Sequence, residues 1–431
     1  MAELELRDQK AEIMVQRSLR RNTTASMVDS GAFGGALGFI GYSTVLPTMA
    51  QALSNSEPFV GLVTTIWSGM WLLPQLPAGR WMADRTYKKP VLIRAAFISR
   101  VGLLLLALAL LINLSPALLV ILLPLAIGLF RGMDGVAAVA WFDVISKMFP
   151  PRVRGKILGW TQSVAFATQF MAAFVVAWAL GITGPVYPYN YALLVGLAGL
   201  FVFISWIALL FFVEPPGDVA DNVSARLSIG AHARHILASD RSFRLNAIGR
   251  LLIGAVGLAT PFYVLQATQV LKVPTDTIGL FLAAQTVGGV VSSLICGSLS
   301  QRYGSPVVIR ITMALALLPP VLALLLNFFA RDNATLATLG MVVIFAALGA
   351  TDGSFLLGFL QHLLDIAPPA ERTAYTGLSN TIGGLTVIAP TIGGVLLQAT
   401  SFQALFFVTA IFPIAGLLVA LRIPRVRPEV V

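Results

Sequence analysis

The sequence predicts an all-α integral membrane protein with twelve transmembrane helices in two pseudo-symmetric six-helix bundles, and three observations carry that prediction. The composition is too apolar for a soluble core. Of 431 residues, 57% are hydrophobic and 11% charged, with a mean hydropathy of +0.85, whereas charged residues make up about a quarter of an ordinary globular domain. Apolar runs of roughly 20 residues, long enough to cross a bilayer as helices, recur from end to end. The chain also repeats itself. Asp134-Gly135 is followed by Pro150-Pro151, Arg154 and Gly159, and Asp352-Gly353 is followed at the same spacings by Pro368-Pro369, Arg372 and Gly377. Asp84-Arg85 and the run Pro90 to Arg94 are answered, with one residue deleted between them, by Gln301-Arg302 and the run Pro306 to Arg310. Duplication on that scale in an apolar chain is an architecture of secondary transporters.

Taken in order, residues 1–28 mix acids and bases (Glu3, Glu5, Asp8, Arg17, Arg20, Arg21) and lack the apolar core and cleavage site of a signal peptide, so they read as a cytoplasmic tail. The first bundle, 29–213, holds spans near 29–51, 58–80, 91–113, 117–147, 155–180 and 190–213. Gly31, Gly34, Gly35 and Gly38 lie inside an apolar helix with no strand before them, which fits close helix packing and not a nucleotide loop. A cytoplasmic linker, 214–244, opens on the stop Pro215-Pro216-Gly217, and Leu227, His235, Ile236 and Leu237 suit an interfacial helix. His232 and His235 are too few to hold a metal. The second bundle, 245–422, holds spans near 245–270, 276–301, 307–329, 335–366, 374–399 and 402–422, and 423–431 form a second cytoplasmic tail. The single cysteine, Cys296, lies in an apolar helix and can form no internal disulfide.

The net charge of +10 is a topology signal. With the N-terminus inside, 25 of the 29 Lys and Arg residues fall in cytoplasmic segments, only Lys272 and Arg331 in external loops, and Arg100 and Arg131 within helices. That bias places both termini in the cytoplasm of a multi-pass protein of the cell (plasma or inner) membrane and argues against nucleic acid as a partner. No cofactor motif, metal cluster or nucleophile elbow is present, and only His362 could serve as a histidine base near the bilayer, so the chain does not read as an enzyme.

Ala83-Asp84-Arg85-Thr86-Tyr87-Lys88-Lys89, between the second and third spans, resembles the signature loop of the major facilitator superfamily, as does Gly297-Ser298-Leu299-Ser300-Gln301-Arg302-Tyr303-Gly304 between the eighth and ninth. The first copy keeps the acid but has Arg80 and Tyr87 where the family has Gly; the second keeps both glycines but has Gln301 for the acid. The resemblance covers nearly all of 29–422 and implies the superfamily's twelve-helix fold. It also implies an inner gating loop. Asp84, Arg85 and Asp143 are expected to form a latch at the inner face. Their repeat partners Gln301 and Gln361 have lost both acids, and Gln301 and Arg302 occupy the second loop. A solvated loop that only enforces topology is the alternative.

Ionisable residues inside a membrane mark functional sites by default, and four stand out: Arg100, Arg131, Asp134 and Asp352. Arg131 and Asp134 are three apart and share a helical face, while Asp143 lies on the opposite one. Arg131-x-x-x-Gly135 resembles the fourth-helix arginine motif of proton-coupled exporters in the superfamily, with Asp134 where that motif carries Gln. These four charges are the expected proton-coupling centre; the alternative is a cluster that fixes helix packing. Tyr42, Trp67, Trp141, Gln162, Tyr263, Gln285 and Asn380 are the expected substrate-cavity residues, and Gln162 and Asn380 are repeat partners, as are Asp134 and Asp352. The functional expectation is a monomeric secondary transporter that moves a small solute by alternating access, in proton-coupled export of an amphipathic or organic compound. The competing expectation is an uncoupled facilitator, lipid flippase or sensor of the same fold.

Overall fold

The computed structural model describes residues 2–217, 229–368 and 371–424, and every regular element among them is helical. Among the described residues eleven helical spans are long and apolar enough to cross a membrane, beginning with Glu57–Met82. The twelfth, the first in the chain, differs from the single expected helix over 29–51. It consists of α1 (Ala2–Ile40) and α2 (Val45–Ser54), separated at Gly41, which takes a φ of 21°. Glycine tolerates that turn, and Pro47 stands in the first turn of α2, where its missing N–H costs no helical bond. The expected N-terminal tail is likewise helical and continuous with α1. Its Arg21 and Asn22 side chains donate to the Phe211 and Val213 carbonyls.

The chain divides into two compact units. The first comprises Met1–Gly41, Ile66–Ala179 and Thr183–Asn222. It contains α1, the later part of α3 (Glu57–Leu72), α4 (Gln75–Met82), α5 (Lys89–Leu111), α6 (Pro116–Met148), α7 (Pro151–Leu180) and α8 (Tyr189–Leu210). Pro74 separates α3 from α4, which splits the second expected span. Met82, Ala96, Ala140, Val144, Met148 and Phe212 form a core at one end of this unit.

The second unit comprises Tyr42–Thr65, Leu180–Ile182 and Val223–Val431. Its helices are α2, the start of α3, α9 (Ile229–Ser239), α10 (Arg241–Ala255), α11 (Phe262–Leu265), α12 (Thr277–Tyr303), α13 (Ser305–Phe329), α14 (Ala334–Phe355), α15 (Gln361–Ile366), α16 (Arg372–Gly384), α17 (Ala389–Ala399) and α18 (Phe402–Leu421). α10 is capped by Asp240, whose carboxylate accepts from the Phe243 N–H at 2.9 Å. Ile236 of α9 packs on Phe243, Leu363 and Tyr375, so α9 is seated on this unit. Leu227, with 218–228, lies outside the described residues, as does 425–431 of the expected C-terminal tail.

The repeated Asp-Gly pair has a packing cause. A Cβ on Gly135 would stand 2.2 Å from the Trp71 carbonyl oxygen, and one on Gly353 would stand 2.3 Å from that of Gly289. In each unit the glycine lets the helix bearing the aspartate press directly against a neighbouring helix backbone.

Candidate functional site

In the first unit the backbone contact at Gly135 brings α6 against α3, and the charges lie along that contact. Arg131 Nη1 and Asp134 Oδ2 are 3.1 Å apart, with both side chains only 12% exposed. Arg131 Nε donates to the Trp67 carbonyl at 3.0 Å, and its guanidinium lies 4.6 Å from the Trp67 ring centroid and 5.6 Å from that of Trp71. The cation is thus held by a carboxylate and two indole faces, the arrangement that stabilises a guanidinium out of water.

Arg100 joins a different network. Fully buried, it donates to the Val202 carbonyl at 3.0 Å, to Ser99 Oγ at 2.7 Å and to Ser205 Oγ at 3.2 Å. Ser205 in turn donates to Asp29 Oδ1 at 2.6 Å, and Trp141 Nε1 donates to Asp29 Oδ2 at 2.9 Å. Trp141, expected in a cavity, therefore binds a buried carboxylate. Sequence reasoning missed Asp29 because it stood at the first position of the expected span, where an acid passes for a boundary residue; α1 runs well beyond it on both sides.

At the loop between α4 and α5, Asp143 pairs with Lys88 and with Lys147, whose Nζ lies 2.6 Å from Oδ1. The expected partner Arg85 instead lies 4.2 Å from the Trp81 ring centroid. The reason is local: Lys147 is one helical turn from Asp143, Lys88 leads into α5, and Arg85 is exposed in the turn that also holds Asp84. Glu214, unremarked in the sequence because it closes an apolar run, accepts from the backbone N–H groups of Lys88 (2.9 Å) and Lys89 (2.8 Å) and from Lys147 Nζ (3.0 Å). Gln162 is exposed on α7.

In the second unit three expected residues meet. The Tyr42 hydroxyl donates to Asp352 Oδ2 at 2.8 Å, and Gln285 hydrogen-bonds Asp352 and accepts from Ser43 Oγ at 2.7 Å. No cation pairs with Asp352 among the described residues. Gly349 holds the place of Arg131, and a Cβ there would stand 1.8 Å from the Gln285 carbonyl oxygen, so no side chain fits. Tyr263 is fully buried and stacked on Phe406 with centroids 5.1 Å apart; it is a core residue of this unit. Asn380 accepts from Arg250 Nη2 at 2.9 Å, and Ser379 accepts from Nη1 at 2.8 Å. Arg250 is one of the 25 basic residues assigned by sequence to cytoplasmic segments, but it lies well inside α10. Gln301 and Arg302 are exposed at the end of α12, and Gln361 accepts from Ser300 at 3.0 Å.

A model of the Major Facilitator Superfamily matches residues 29–267 and 248–431. No curated protein matches the chain in sequence. Among solved structures the nucleoside transporter NupG is similar at a TM-score of 0.68 and 14% identity, covering 93% of this chain and 99% of its own. A peptide transporter POT is similar at 0.66 and 15%, covering 93% and 95%. A D-xylose-proton symporter is similar at 0.64 and 16%, covering 95% and 98%. At these identities the likeness is one of fold.

Proposed function

This chain belongs to the Major Facilitator Superfamily, and we propose that it is a secondary transporter coupling the movement of a small organic solute to protons, by alternating access between its halves 29–213 and 245–422. The observation that carries the coupling is the Arg131–Asp134 pair, a carboxylate and guanidinium held between two tryptophans inside a membrane span. A proton arriving at Asp134 removes the charge that holds Arg131, and Arg131 is then free to move or to meet another anion. One site thereby couples protonation to side-chain position, which is what an ion-coupled carrier needs. That a D-xylose-proton symporter shares the fold supports the same reading. The direction proposed is export from the cytoplasm, on the likeness of Arg131-x-x-x-Gly135 to exporter motifs. The distribution of basic residues supports a cytoplasmic position for both termini in this reading.

In proteoliposomes with an imposed pH gradient, Asp134→Asn is expected to lower gradient-driven flux by about a hundredfold, as for loss of an essential proton-transfer group, while leaving substrate binding intact. Asp352→Asn, at a carboxylate with no cationic partner, is expected to retain gradient-driven flux. A wild-type pH profile in Asp134→Asn would remove this residue from coupling and leave the pair as helix packing.

A further inference from the structure

Arg250 is a part-buried guanidinium in the helical span Arg241–Val270 whose partners among the described residues are neutral side chains of another helix. It lies ten residues into α10, about 14 Å along the axis at 1.5 Å per residue. Its hydrogen-bond partners are Ser379 Oγ and Asn380 Oδ1 on α16, and the Phe355 ring centroid is 5.7 Å away. It makes no ion pair among the described residues. By contrast Arg131 has Asp134, and Arg100 reaches Asp29 through Ser205. An uncompensated cation inside a membrane-spanning helix is costly to keep charged, and hydroxyl and amide oxygens supply dipoles but no counter-charge. The guanidinium is nevertheless closely seated: a Cβ on Gly383 would stand 2.7 Å from its Nε.

The backbone around it is irregular on three helices. α10 passes into a 3₁₀ turn at Val256–Leu258, α14 into a π segment at Leu356–Leu360 directly after Phe355, and α16 into a 3₁₀ stretch at Leu385–Ile388. Departures from α geometry inside membrane helices accompany ligand sites, because they free backbone groups and let side chains converge. Two nitrogens of the fork are already committed to α16, which fixes its plane and leaves its charge available.

We propose that Arg250 recognises an anionic group of the transported solute, so that the substrate class is an organic anion bearing a carboxylate or phosphate. Ser379 and Asn380 orient the guanidinium, Phe355 shields one face, and the counter-charge arrives with the substrate. The inference deepens the transporter reading and rests on it, but it requires no gradient and no assumption about protons.

The test is thermal unfolding of the purified full-length protein at constant ionic strength. The probes are benzoate, succinate and phenyl phosphate, set against the uncharged benzamide and succinamide and the cation benzylamine. At least one anion should raise the unfolding temperature in a saturable way, and the amides and the amine should not. Arg250→Gln should weaken the apparent affinity of that anion about tenfold or more, as for loss of a hydrogen-bonded charge, and Arg250→Lys should weaken it less. Gly383→Ala keeps the charge but crowds Nε and should also weaken binding, which gives a second readout if Arg250→Gln does not survive purification. No anion effect in the wild type, undiminished anion affinity in Arg250→Gln or in Gly383→Ala, or an equal response to benzylamine would each overturn the proposal. Gradient-driven flux that depends on Asp134 would survive such a failure, so the two readings fail separately.

Discussion

Arg131 and Asp134 share one turn of α6 and an ion pair at 3.1 Å, while Asp352 and Arg250 of the second unit are each bound by neutral groups, the first by Tyr42 and Gln285, the second by Ser379 and Asn380. The duplicated helices have thus kept their frame and diverged in their charges. Gly135 and Gly353 still press their helices onto a neighbour's backbone, yet at the position three residues before the aspartate one unit carries an arginine and the other has no room for any side chain. A carboxylate with its own guanidinium can report protonation by releasing that partner. A guanidinium left without a carboxylate is suited to an anion that comes and goes. In the reading proposed here the first half handles the proton and the second the solute.

The largest expected effect comes from trying to erase that difference. Gly349→Ala should destabilise the protein by about 3 kcal/mol, at the upper end for an overpacked core, because the Gln285 backbone must part from α14. Gly349→Arg should yield no folded protein. Unfolding midpoints of purified variants check both, and a stable Gly349→Arg that pairs with Asp352 would show that the asymmetry is sequence drift and not geometry.

Much of this frame was legible in the sequence. The repeat reappears as the paired Gly135 and Gly353 helix contacts, and the apolar runs as long helices, because bilayer thickness acts on every residue of a span. What escaped lay at the ends of those runs. Asp29, Glu214 and Arg250 each stand where an apolar stretch begins or closes; Asp29 and Arg250 look like boundaries until their helices are seen to continue past them, while Glu214 lies beyond α8 in irregular chain whose contacts spacing does not determine. The break at Gly41 escaped for the opposite reason, since hydropathy stays high across it. Pairings within the Asp84 loop were also beyond reach. Whether Arg85 or Lys88 meets Asp143 depends on the path of a short turn that residue spacing does not determine.

Those loop pairings give an intermediate effect. Lys88 bridges Asp143 while Glu214 holds the backbone at Lys88 and Lys89, so Lys88→Gln should reduce transport by several-fold. It should change stability by no more than about 1 kcal/mol, the usual limit for a partly exposed pair. Arg85→Gln and Gln301→Ala should be milder, because neither residue's side chain forms an ion pair among those described. Equal loss from Lys88→Gln and Arg85→Gln, measured as initial transport rate at matched protein levels, would return the latch to Arg85.

The smallest difference to be read, and the sharpest on the contrast between the halves, is that between removing one donor from each of two buried carboxylates. Tyr42→Phe takes the hydroxyl from Asp352 and leaves it Gln285; Trp141→Phe takes the indole N–H from Asp29 and leaves it Ser205, which is itself bonded by Arg100. Leaving a buried acceptor short of a partner costs about 1–3 kcal/mol, but a nearby guanidinium compensates a carboxylate that a neutral amide cannot. Tyr42→Phe should therefore fall near the upper end of that range and Trp141→Phe near the lower, read as the difference in unfolding midpoint between two single-donor deletions. Combining Tyr42→Phe with Asp352→Asn should recover most of the loss, since the substituted amide carries no charge in need of a donor. Equal costs in the two halves would mean that Arg100 does not support Asp29 and that the difference in charge arrangement has no energetic weight.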